Sequence, residues 1–454
     1  MHRSGSTEVI LPAVGPALEP TGPAAAVVAA RKPGGRVLAI LRNIGPGLVT
    51  GAADDDPSGI VTYTQAGAAF GYGLGWAVVL TLPFMVAVQE ISARIGRVTG
   101  AGIAGTLRAH APRPLLLVIV WLVVVANVIN LGADLGGMAD VTRLLLGGPA
   151  WLYAVVFAVF CVGVEIWVAY PQYVMFLKYL TLTLLAYVAL LFAVHVPWLA
   201  VLEGIVLPRV GLTRDAVTTL VGVLGTTISP YLFIWQASEE VEDARIGPDP
   251  RPLRARTRKR DRAGNETEIA RIGFDTWSGM SYSNVVSLSI IVGTAATLHA
   301  HGITTIDSAA QAASALAPIA GHLATVIFAL GIIGTGLLAV PVLAGSTAYA
   351  LGEASGWAVG LGRQPKKARA FYGTIAAATL VGGAIVFSPI DPMQALFFSA
   401  VINGAVAGPI IVVMVILGSM PRVMGAFVLS RWLRVMGWAT AVLMVGTTIA
   451  MVVL

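Results

Sequence analysis

The chain has 454 residues, of which 57% are hydrophobic and only 11% are charged, and its mean hydropathy is +0.82. A chain of this length and composition cannot be a soluble globular protein, because it has too few polar residues to cover its surface. The net charge is +6 and Cys161 is the single cysteine, so the composition predicts a polytopic membrane protein without a disulfide framework.

Apolar runs long enough to cross a bilayer recur along the chain. About 20 helical residues cross the roughly 30 Å of hydrocarbon. We predict eleven such helices, numbered spans 1 to 11, at residues 44–70, 73–93, 115–133, 150–170, 176–198, 218–237, 277–300, 318–345, 370–388, 394–417 and 435–454. The predicted fold class is therefore an all-α polytopic membrane protein with 11 transmembrane helices.

The basic residues predict the orientation, because Lys and Arg are retained on the cytoplasmic side during insertion. With the N-terminus inside, every Lys and Arg except Arg143, Arg209 and Arg214 falls in a cytoplasmic segment. We therefore expect a cytoplasmic N-terminus and a C-terminus outside. The net positive charge reflects this topology and indicates no nucleic-acid partner.

Two segments outside the spans have distinctive compositions. Residues 1–43 are rich in Ala, Pro and Gly, lack the features of a secretory signal, and are predicted to form a flexible cytosolic tail. Residues 238–276 are predicted to form a cytosolic basic loop, with Lys and Arg concentrated in 245–271. We expect this loop to retain the topology and to attract anionic headgroups; a regulatory or partner-binding role is the alternative.

Spans 1 and 6 are interrupted in a similar way. Span 1 contains "TGAADDDPSG" and span 6 contains "VLGTTISPYLF", and both stretches combine Gly, Pro and small polar residues. Matching broken helices in two halves are typical of transporters with inverted repeats. Since span 1 runs outward and span 6 inward, we predict five-helix repeats at 44–198 and 199–417, with 418–454 forming a linker and span 11.

Three consecutive carboxylates lie in the break of span 1. A broken helix frees backbone carbonyls that need a partner in the absence of water, and intramembrane carboxylates are costly enough to indicate function. Asp56 precedes Pro57, so it can cap the second half-helix and also bind a cation. Because adjacent helical residues point about 100° apart, Asp54, Asp55 and Asp56 cannot all converge on one ion.

The stretches "GPGLVTGAADDDPSGIVTYTQAGAAFGYGLGW" and "ARIGRVTG", and more weakly "GADLGG" and "GTTISPYLFIWQAS", resemble the Nramp family of divalent metal transporters. The resemblance implies the LeuT-type fold of two inverted five-helix repeats, with spans 1 and 6 broken. It also implies transport of a divalent metal cation by alternating access.

Carried over by position, the resemblance assigns the family's metal-binding aspartate to Asp56 and its coordinating carbonyls to Ala53 and Thr226. The family's asparagine is replaced by Gly59 and its methionine by Ser229. Loss of the soft thioether removes a preference for later transition ions, and the smaller side chains leave room for a cation that keeps its waters, as Mg²⁺ does. The pattern is similar to the Nramp-related magnesium transporters.

The family's proton route is incomplete in this chain. Asp134 matches its aspartate, but the glutamate expected three positions later is Gly137 and the histidine of span 6 is Gln236. We therefore expect proton coupling to be lost or altered. Asp55, Asp134, Gln236 and Asn403 are assigned to an additional site or pathway.

Five glutamates also lie within the predicted spans or at their ends. Glu90 and Glu165 are expected to pair with cytoplasmic Arg or Lys. Glu239, Glu240 and Glu242 follow span 6 and are expected to line a cytoplasmic exit for cations.

The predicted function is transport of a divalent cation, Mg²⁺ or Mn²⁺, by a monomer in the plasma (inner) membrane. The expected partners are this cation and the lipid bilayer; no further cofactor is expected, and no nucleophile and base suggest an enzyme. Two alternatives stay open, namely a carrier of a small organic or sodium-coupled solute and a non-transporting cation sensor.

Overall fold

The apolar spans fold as helices because a backbone surrounded by hydrocarbon has to satisfy its own N–H and C=O groups. The computed structural model describes residues 50, 51, 53–168, 184–207, 211, 213–247, 249–256 and 261–454, and no strand occurs among them. The predicted tail 1–43 lies outside the described residues. So does the stretch 169–183, which includes the beginning of span 5.

Twelve helices carry the architecture and are labelled in chain order. They are α1 Pro57–Phe70, α2 Gly75–Thr99, α3 Arg113–Leu146, α4 Ala150–Trp167, α5 Leu185–Ala193, α6 Arg214–Thr227, α7 Pro230–Ile246, α8 Arg262–Thr297, α9 Ala324–Ser355, α10 Arg369–Ala384, α11 Pro392–Ser419 and α12 Arg431–Val453. Short helices at Ile103–His110, Trp198–Val206, Ala309–Ser314, Ala317–Ala320 and Pro421–Met424 connect them.

Within the described ranges, nine helical segments are long and apolar enough to cross a membrane. One of them, Pro57–Thr99, joins the second half of span 1 to span 2 through a 3₁₀ turn at Gly71–Leu74. Span 5 is described only from its later part, as α5. The nine segments therefore cover ten of the eleven predicted spans, because Pro57–Thr99 contains two of them, and span 5 is the eleventh.

Several helices extend beyond the apolar runs that predict them. The apolar run of span 3 ends at 133, but α3 continues to Leu146. The apolar run of span 7 begins at 277, but α8 begins at Arg262. Hydropathy marks only the apolar part of a helix. The polar end of α3 stays helical where neighbouring helices bury it, and the exposed beginning of α8 carries an i,i+4 ion pair between Arg262 and Glu266. The irregular part of the segment 238–276 is consequently shorter than predicted, because α7 and α8 cover both of its ends.

Both predicted helix breaks are present. Residues 50, 51, 53 and 54 are helical, Asp55 and Asp56 are not, and α1 begins at Pro57. In span 6, α6 ends at Thr227 and α7 begins at Pro230. Proline is suited to the first position of a helix because the N–H that it lacks would have no partner there.

The two halves of the chain pack against each other through matching helices. Helix α2 packs on α8, and α3 packs on α9, which pairs spans 2 and 3 of the first repeat with spans 7 and 8 of the second. Helices α6 and α11 come so close that a Cβ on Gly225 would overlap the backbone of Gly404. Small residues at such crossings are typical of membrane helix packing.

Charged residues at one end of the bundle connect α2, α7 and α8. Arg271 of α8 binds Glu240 at 2.7 Å, and Arg97 of α2 binds Glu268 at 3.2 Å. Glu90 pairs with Arg94 at 2.5 Å, as predicted. Glu165 has no hydrogen-bond partner among the described residues, so its predicted pairing is not observed there.

Glu242 connects α7 to the segment that follows α9. Its carboxylate accepts hydrogen bonds from the Tyr349 hydroxyl at 2.5 Å and from the backbone N–H groups of Leu361 and Gly362 at 2.8 and 3.0 Å. It also lines a small cavity with Arg245 and Glu353. The carboxylate at this predicted exit therefore bonds to protein donors as well as facing a cavity.

Candidate cation site

Asp56 begins α1 and uses one carboxylate oxygen to cap it. Its Oδ1 accepts a hydrogen bond from the backbone N–H of Gly59 at 2.7 Å and another from the Ser58 hydroxyl at 2.6 Å. Asp56 has extended backbone dihedrals, as an N-cap residue requires. The cap fixes the carboxylate at the break in span 1, where its exposed fraction is 1%.

The other oxygen of Asp56 faces α3 and α7. Asn130 of α3 donates to Asp56 Oδ2 at 3.0 Å, and the Tyr231 hydroxyl of α7 lies 3.4 Å from the same atom. Tyr231 also donates to the Ala53 carbonyl at 2.8 Å. Asp56, the Ala53 carbonyl, Asn130 and Tyr231 therefore form one buried polar group that joins the two helix breaks.

In the second break, the hydroxyl of Ser229 turns back on its own chain. It lies 2.8 Å from the Gly225 carbonyl and 2.9 Å from the Thr226 carbonyl, positioned to donate to either. Gly59 faces this break, because a Cβ built on it would lie 2.7 Å from Thr226 Oγ1 and 3.5 Å from Asp56 Oδ1. The structure thus brings Gly59 and Thr226 next to Asp56, while the Ser229 side chain bonds to backbone carbonyls.

Asp54 and Asp55 point away from Asp56, towards α8. The Ser283 hydroxyl lies 2.6 Å from Asp54 Oδ2 and 3.1 Å from Asp55 Oδ1, and the Ser287 hydroxyl lies 3.2 Å from Asp55 Oδ1. Both aspartates are fully buried. The three carboxylates therefore do not all converge, but the reason differs from the one predicted, because Asp55 and Asp56 lie outside the helix and Asp54 and Asp55 share Ser283.

The other residues that the sequence assigns to a site or pathway lie at different distances from Asp56. Asp134 lies on α3 beside Asp56, one turn beyond Asn130, and is fully buried. Gln236 of α7 contacts the Thr50 hydroxyl in the first half of span 1 instead. Asn403 of α11 is buried, and its amide hydrogen-bonds to no described residue.

These carboxylates carry no protein counter-charge in the part of the chain that the structure describes. No Lys, Arg or His there forms an ion pair with Asp54, Asp55, Asp56 or Asp134. Nor do three or more described His, Cys, Asp or Glu side chains meet at metal-binding distance. An isolated buried carboxylate is energetically very costly, so these four carboxylates need either a bound cation or protons to neutralise them. Around Asp56, hydroxyl, amide and carbonyl oxygens can complete the ligand set of a cation.

Comparison with known proteins identifies the family. Residues 47–454 match the family model Nramp, "Natural resistance-associated macrophage protein-like". The chain belongs to the Nramp family. Two similar relatives are proteins of Klebsiella pneumoniae strains called divalent metal cation transporter MntH, which are 29% and 28% identical over 412 residues, with 89% of this chain and 92% of each relative covered.

Solved structures support the fold of this Nramp protein. It resembles the manganese transporter of Eremococcus coleocola, with a TM-score of 0.71 at 19% identity, covering 92% of this chain and 87% of that one. It also resembles Mhp1 in an inward-facing conformation, with a TM-score of 0.50 at 14% identity and 90% of each chain covered. These similarities confirm the LeuT-type fold, and the protein is a multi-pass membrane transporter.

Sequence reasoning missed Asn130 and Tyr231 in this Nramp protein. Asn130 had a usable signal, since it lies four residues before Asp134 and therefore on the same face of an apolar helix. Tyr231 directly follows Pro230 in the second break, but sequence alone does not show that its hydroxyl reaches back to Ala53. Ser283 was missed as well, since serines are frequent in span 7 and only the packing of α8 on α1 selects it.

Proposed function

We propose that this protein transports a divalent metal cation, Mg²⁺ or Mn²⁺, by alternating access, and that the cation binds at Asp56. The observation that carries the proposal is the buried Asp56 carboxylate at the meeting point of two helix breaks, surrounded by oxygen and amide groups. Broken helices that meet near the centre of a bundle are where transporters of this architecture bind their substrates.

The similarities of the chain support a metal as the substrate. The Klebsiella pneumoniae relatives are named divalent metal cation transporters, and the Eremococcus coleocola structure is that of a manganese transporter. The proposal extends that substrate class to this chain, in which the aspartate, both proline-containing breaks and the carbonyl of Ala53 are retained.

The preference for a hard cation follows from the ligands. All hydrogen-bonding neighbours of Asp56 are hydroxyl, amide or backbone N–H groups, and Ser229 occupies the position of the family's methionine. Oxygen ligands suit Mg²⁺ and Mn²⁺, whereas a thioether favours softer ions. The cation would retain some water, because Mg²⁺ gives up its hydration shell reluctantly.

Proton coupling is proposed to be lost or altered. Gly137 packs against Leu396, since a Cβ on it would lie 2.6 Å from Leu396 Cδ1, and Gln236 contacts Thr50. Neither position therefore offers a titratable group on the proton route that the family resemblance implies. Asp134 is the remaining carboxylate of that route.

The proposed setting is the plasma (inner) membrane, with the N-terminus in the cytoplasm. The concentration of Lys and Arg in alternate connections supports this orientation. The segment after α7 belongs to the cytoplasmic side in this topology; there, a hydrogen bond from Arg251 lowers the pKa of Asp249 to about 2. We propose that the protein acts as a monomer.

The decisive experiment combines binding and flux with a matched pair of variants. Asp56→Asn keeps a good capping residue but removes the charge, so it should remove Mg²⁺ and Mn²⁺ binding at the Asp56 site in calorimetry and abolish their uptake into proteoliposomes. Asp391 caps α11 in the same way, also before a proline, but is exposed. Asp391→Asn should therefore leave binding and uptake unchanged.

The outcomes separate the proposal from its alternatives. Metal binding without uptake by the wild-type protein would favour a cation sensor. Failure of Mg²⁺ and Mn²⁺ to bind, with binding of a member of an organic solute panel, would favour a solute carrier. Uptake that survives Asp56→Asn would contradict the assignment of Asp56.

A further inference from the structure

We infer that the protein has a second site for a hard cation, formed by Asp54 and Asp55 together with Ser283 and Ser287 of α8. The inference builds on the proposed function, since it assigns a further ion to a chain that is proposed to carry cations. The two sites lie on different sides of the same helix break. Asp56 faces α3 and α7, whereas Asp54 and Asp55 face α8.

Around Asp54 and Asp55 there are fewer hydrogen-bond donors than acceptor oxygens. Ser283 has one hydroxyl proton but lies within reach of oxygens of both Asp54 and Asp55. Ser287 also has one, and it lies 2.9 Å from the Ser283 carbonyl and 3.2 Å from Asp55 Oδ1. The other oxygens, Asp54 Oδ1 and Asp55 Oδ2, are buried and have no partner among the described residues. An ionised carboxylate only accepts, so these acceptors outnumber the two serine protons.

A tyrosine from α1 faces the same place. Tyr63 is completely buried, and its hydroxyl lies near Asp54, Asp55, Ser287 and Thr226. This hydroxyl completes no hydrogen bond of good geometry with any described residue. It is therefore a further buried oxygen near the two carboxylates, contributed by a helix other than α8, and its lone pairs can join a ligand set.

The chemistry of the ligand follows from charge and donor type. Two neighbouring buried carboxylates have no Lys, Arg or His ion-pair partner within the described ranges. All the groups that converge are oxygens, which bind hard cations and not soft ones. The charge of two aspartates is balanced by one Mg²⁺, and by one Na⁺ only in part, so Mg²⁺ is the first ion to test and Na⁺ the second.

The test counts ions on the full-length protein in detergent. Calorimetry with MgCl₂ should give two ions per wild-type chain, one in Asp54→Asn/Asp55→Asn, and one in Asp56→Asn. Thermal melts in NaCl against choline chloride, without divalent ions, form the second arm. If Na⁺ occupies the second site, calorimetry should give one Mg²⁺ per wild-type chain, and NaCl should raise the wild-type melting temperature. This rise should be lost in Asp54→Asn/Asp55→Asn and kept in Asp56→Asn.

Serine variants of α8 provide a matched control for folding. Ser283→Ala/Ser287→Ala should weaken binding at the second site by about tenfold or more, because it removes two hydroxyl ligands. The Ser289 hydroxyl bonds instead to the Val285 carbonyl of its own helix at 2.7 Å. Ser289→Ala should leave both sites unchanged.

The results distinguish this inference from the proposed function. One Mg²⁺ per wild-type chain, unaffected by Asp54→Asn/Asp55→Asn and with no NaCl-specific rise in melting temperature, would overturn the second site and leave the transport proposal intact. No divalent binding in the wild type would overturn the transport proposal, whereas a NaCl-specific rise that is lost in the double variant would still support the second site.

Discussion

The hydroxyl of Tyr231 donates to the backbone carbonyl of Ala53 at 2.8 Å, across the gap between the two helix breaks. A carbonyl freed by a broken helix needs a partner, and in this protein a side chain from the other broken span supplies it. The family resemblance assigns the same carbonyl to the cation. A bound cation and the Tyr231 hydroxyl would therefore share or compete for one oxygen.

Tyr231→Phe is expected to strengthen Mg²⁺ and Mn²⁺ binding, because it removes that competition. A protein hydrogen bond contributes about 0.5–1.5 kcal/mol net, so the gain should be at most about tenfold, as measured by calorimetry. Tyr372→Phe is the control, since the Tyr372 hydroxyl bonds to carbonyls distant in sequence from the site. Weaker binding in Tyr231→Phe would instead mean that the hydroxyl oxygen is itself a ligand.

Asn130→Ala is expected to weaken cation binding by about tenfold or more. The variant removes the donor that orients Asp56 and also the Asn130 amide oxygen, which has no hydrogen-bond partner among the described residues. Asn127 lies nearly one turn earlier on α3 and donates to Ser346 at 2.8 Å. Asn127→Ala should therefore lower the melting temperature without changing affinity, and equal losses of affinity in the two variants would contradict the role of Asn130.

Much of the fold could be predicted from the sequence, because hydrophobic length and the distribution of basic residues reflect how each span meets the membrane. The breaks were also predictable, since Pro57 and Pro230 each interrupt an apolar run. The exact ends of the helices were not predictable from the sequence. The polar end of α3 stays helical through contacts with other helices, and the exposed beginning of α8 carries an i,i+4 ion pair between Arg262 and Glu266. Hydropathy contains no information about either effect.

The candidate site was predictable only in part, for a related reason. Asp56 could be recognised as a carboxylate within an apolar span, but its separation from Asp54 arises at the helix break, where Asp55 and Asp56 are not helical. Its partners Asn130 and Tyr231 lie 74 and 175 residues away along the chain. Such neighbours are fixed by tertiary packing.

Ser229→Met is expected to shift preference from Mg²⁺ towards Mn²⁺ and Cd²⁺. The thioether supplies a soft ligand, and the change in the ratio of Cd²⁺ to Mg²⁺ affinity should be about tenfold or more, corresponding to at least about 1.4 kcal/mol. Competition calorimetry on a monodisperse sample measures it. An unchanged ratio would indicate that this position does not line the ion.

Gly59→Asn would restore the asparagine that the family resemblance implies at this position, but the structure adds a condition. A Cβ at this position would lie 2.7 Å from Thr226 Oγ1, so the Thr226 side chain has to move. We expect Gly59→Asn to be tolerated better in a Thr226→Ala background, with a higher melting temperature than Gly59→Asn alone. A lower melting temperature would show that the obstruction lies elsewhere.

Cation uptake is expected to proceed without acidification of the liposome interior. Gly137 and Gln236 occupy the positions where the family resemblance implies titratable groups, and neither residue has a side-chain group that binds a proton near neutral pH. A pH-sensitive dye inside the liposomes measures this, with Asp56→Asn as the variant without flux. Acidification in proportion to cation uptake would show that Asp134 or another carboxylate carries protons.

Arg271→Met is expected to destabilise the protein by about 3–5 kcal/mol, because it leaves a buried carboxylate without its partner. Glu240 has an exposed side-chain fraction of 0% and binds Arg271 at 2.7 Å. Arg262 and Glu266 form a pair on the same helix with side chains 85% and 70% exposed. Arg262→Met should change stability by no more than about 1 kcal/mol, and similar shifts in melting temperature for both variants would contradict this difference.

The capping role of Asp56 has a consequence for a cation that binds there. The first turn of α1 carries the partial positive charge of the helix dipole, which the Asp56 carboxylate offsets. A cation drawn to that carboxylate weakens this compensation and brings its own positive charge towards the same helix end. Ion binding and the stability of the first turn of α1 therefore oppose each other, so that an occupied site favours a less stable start of this half-helix.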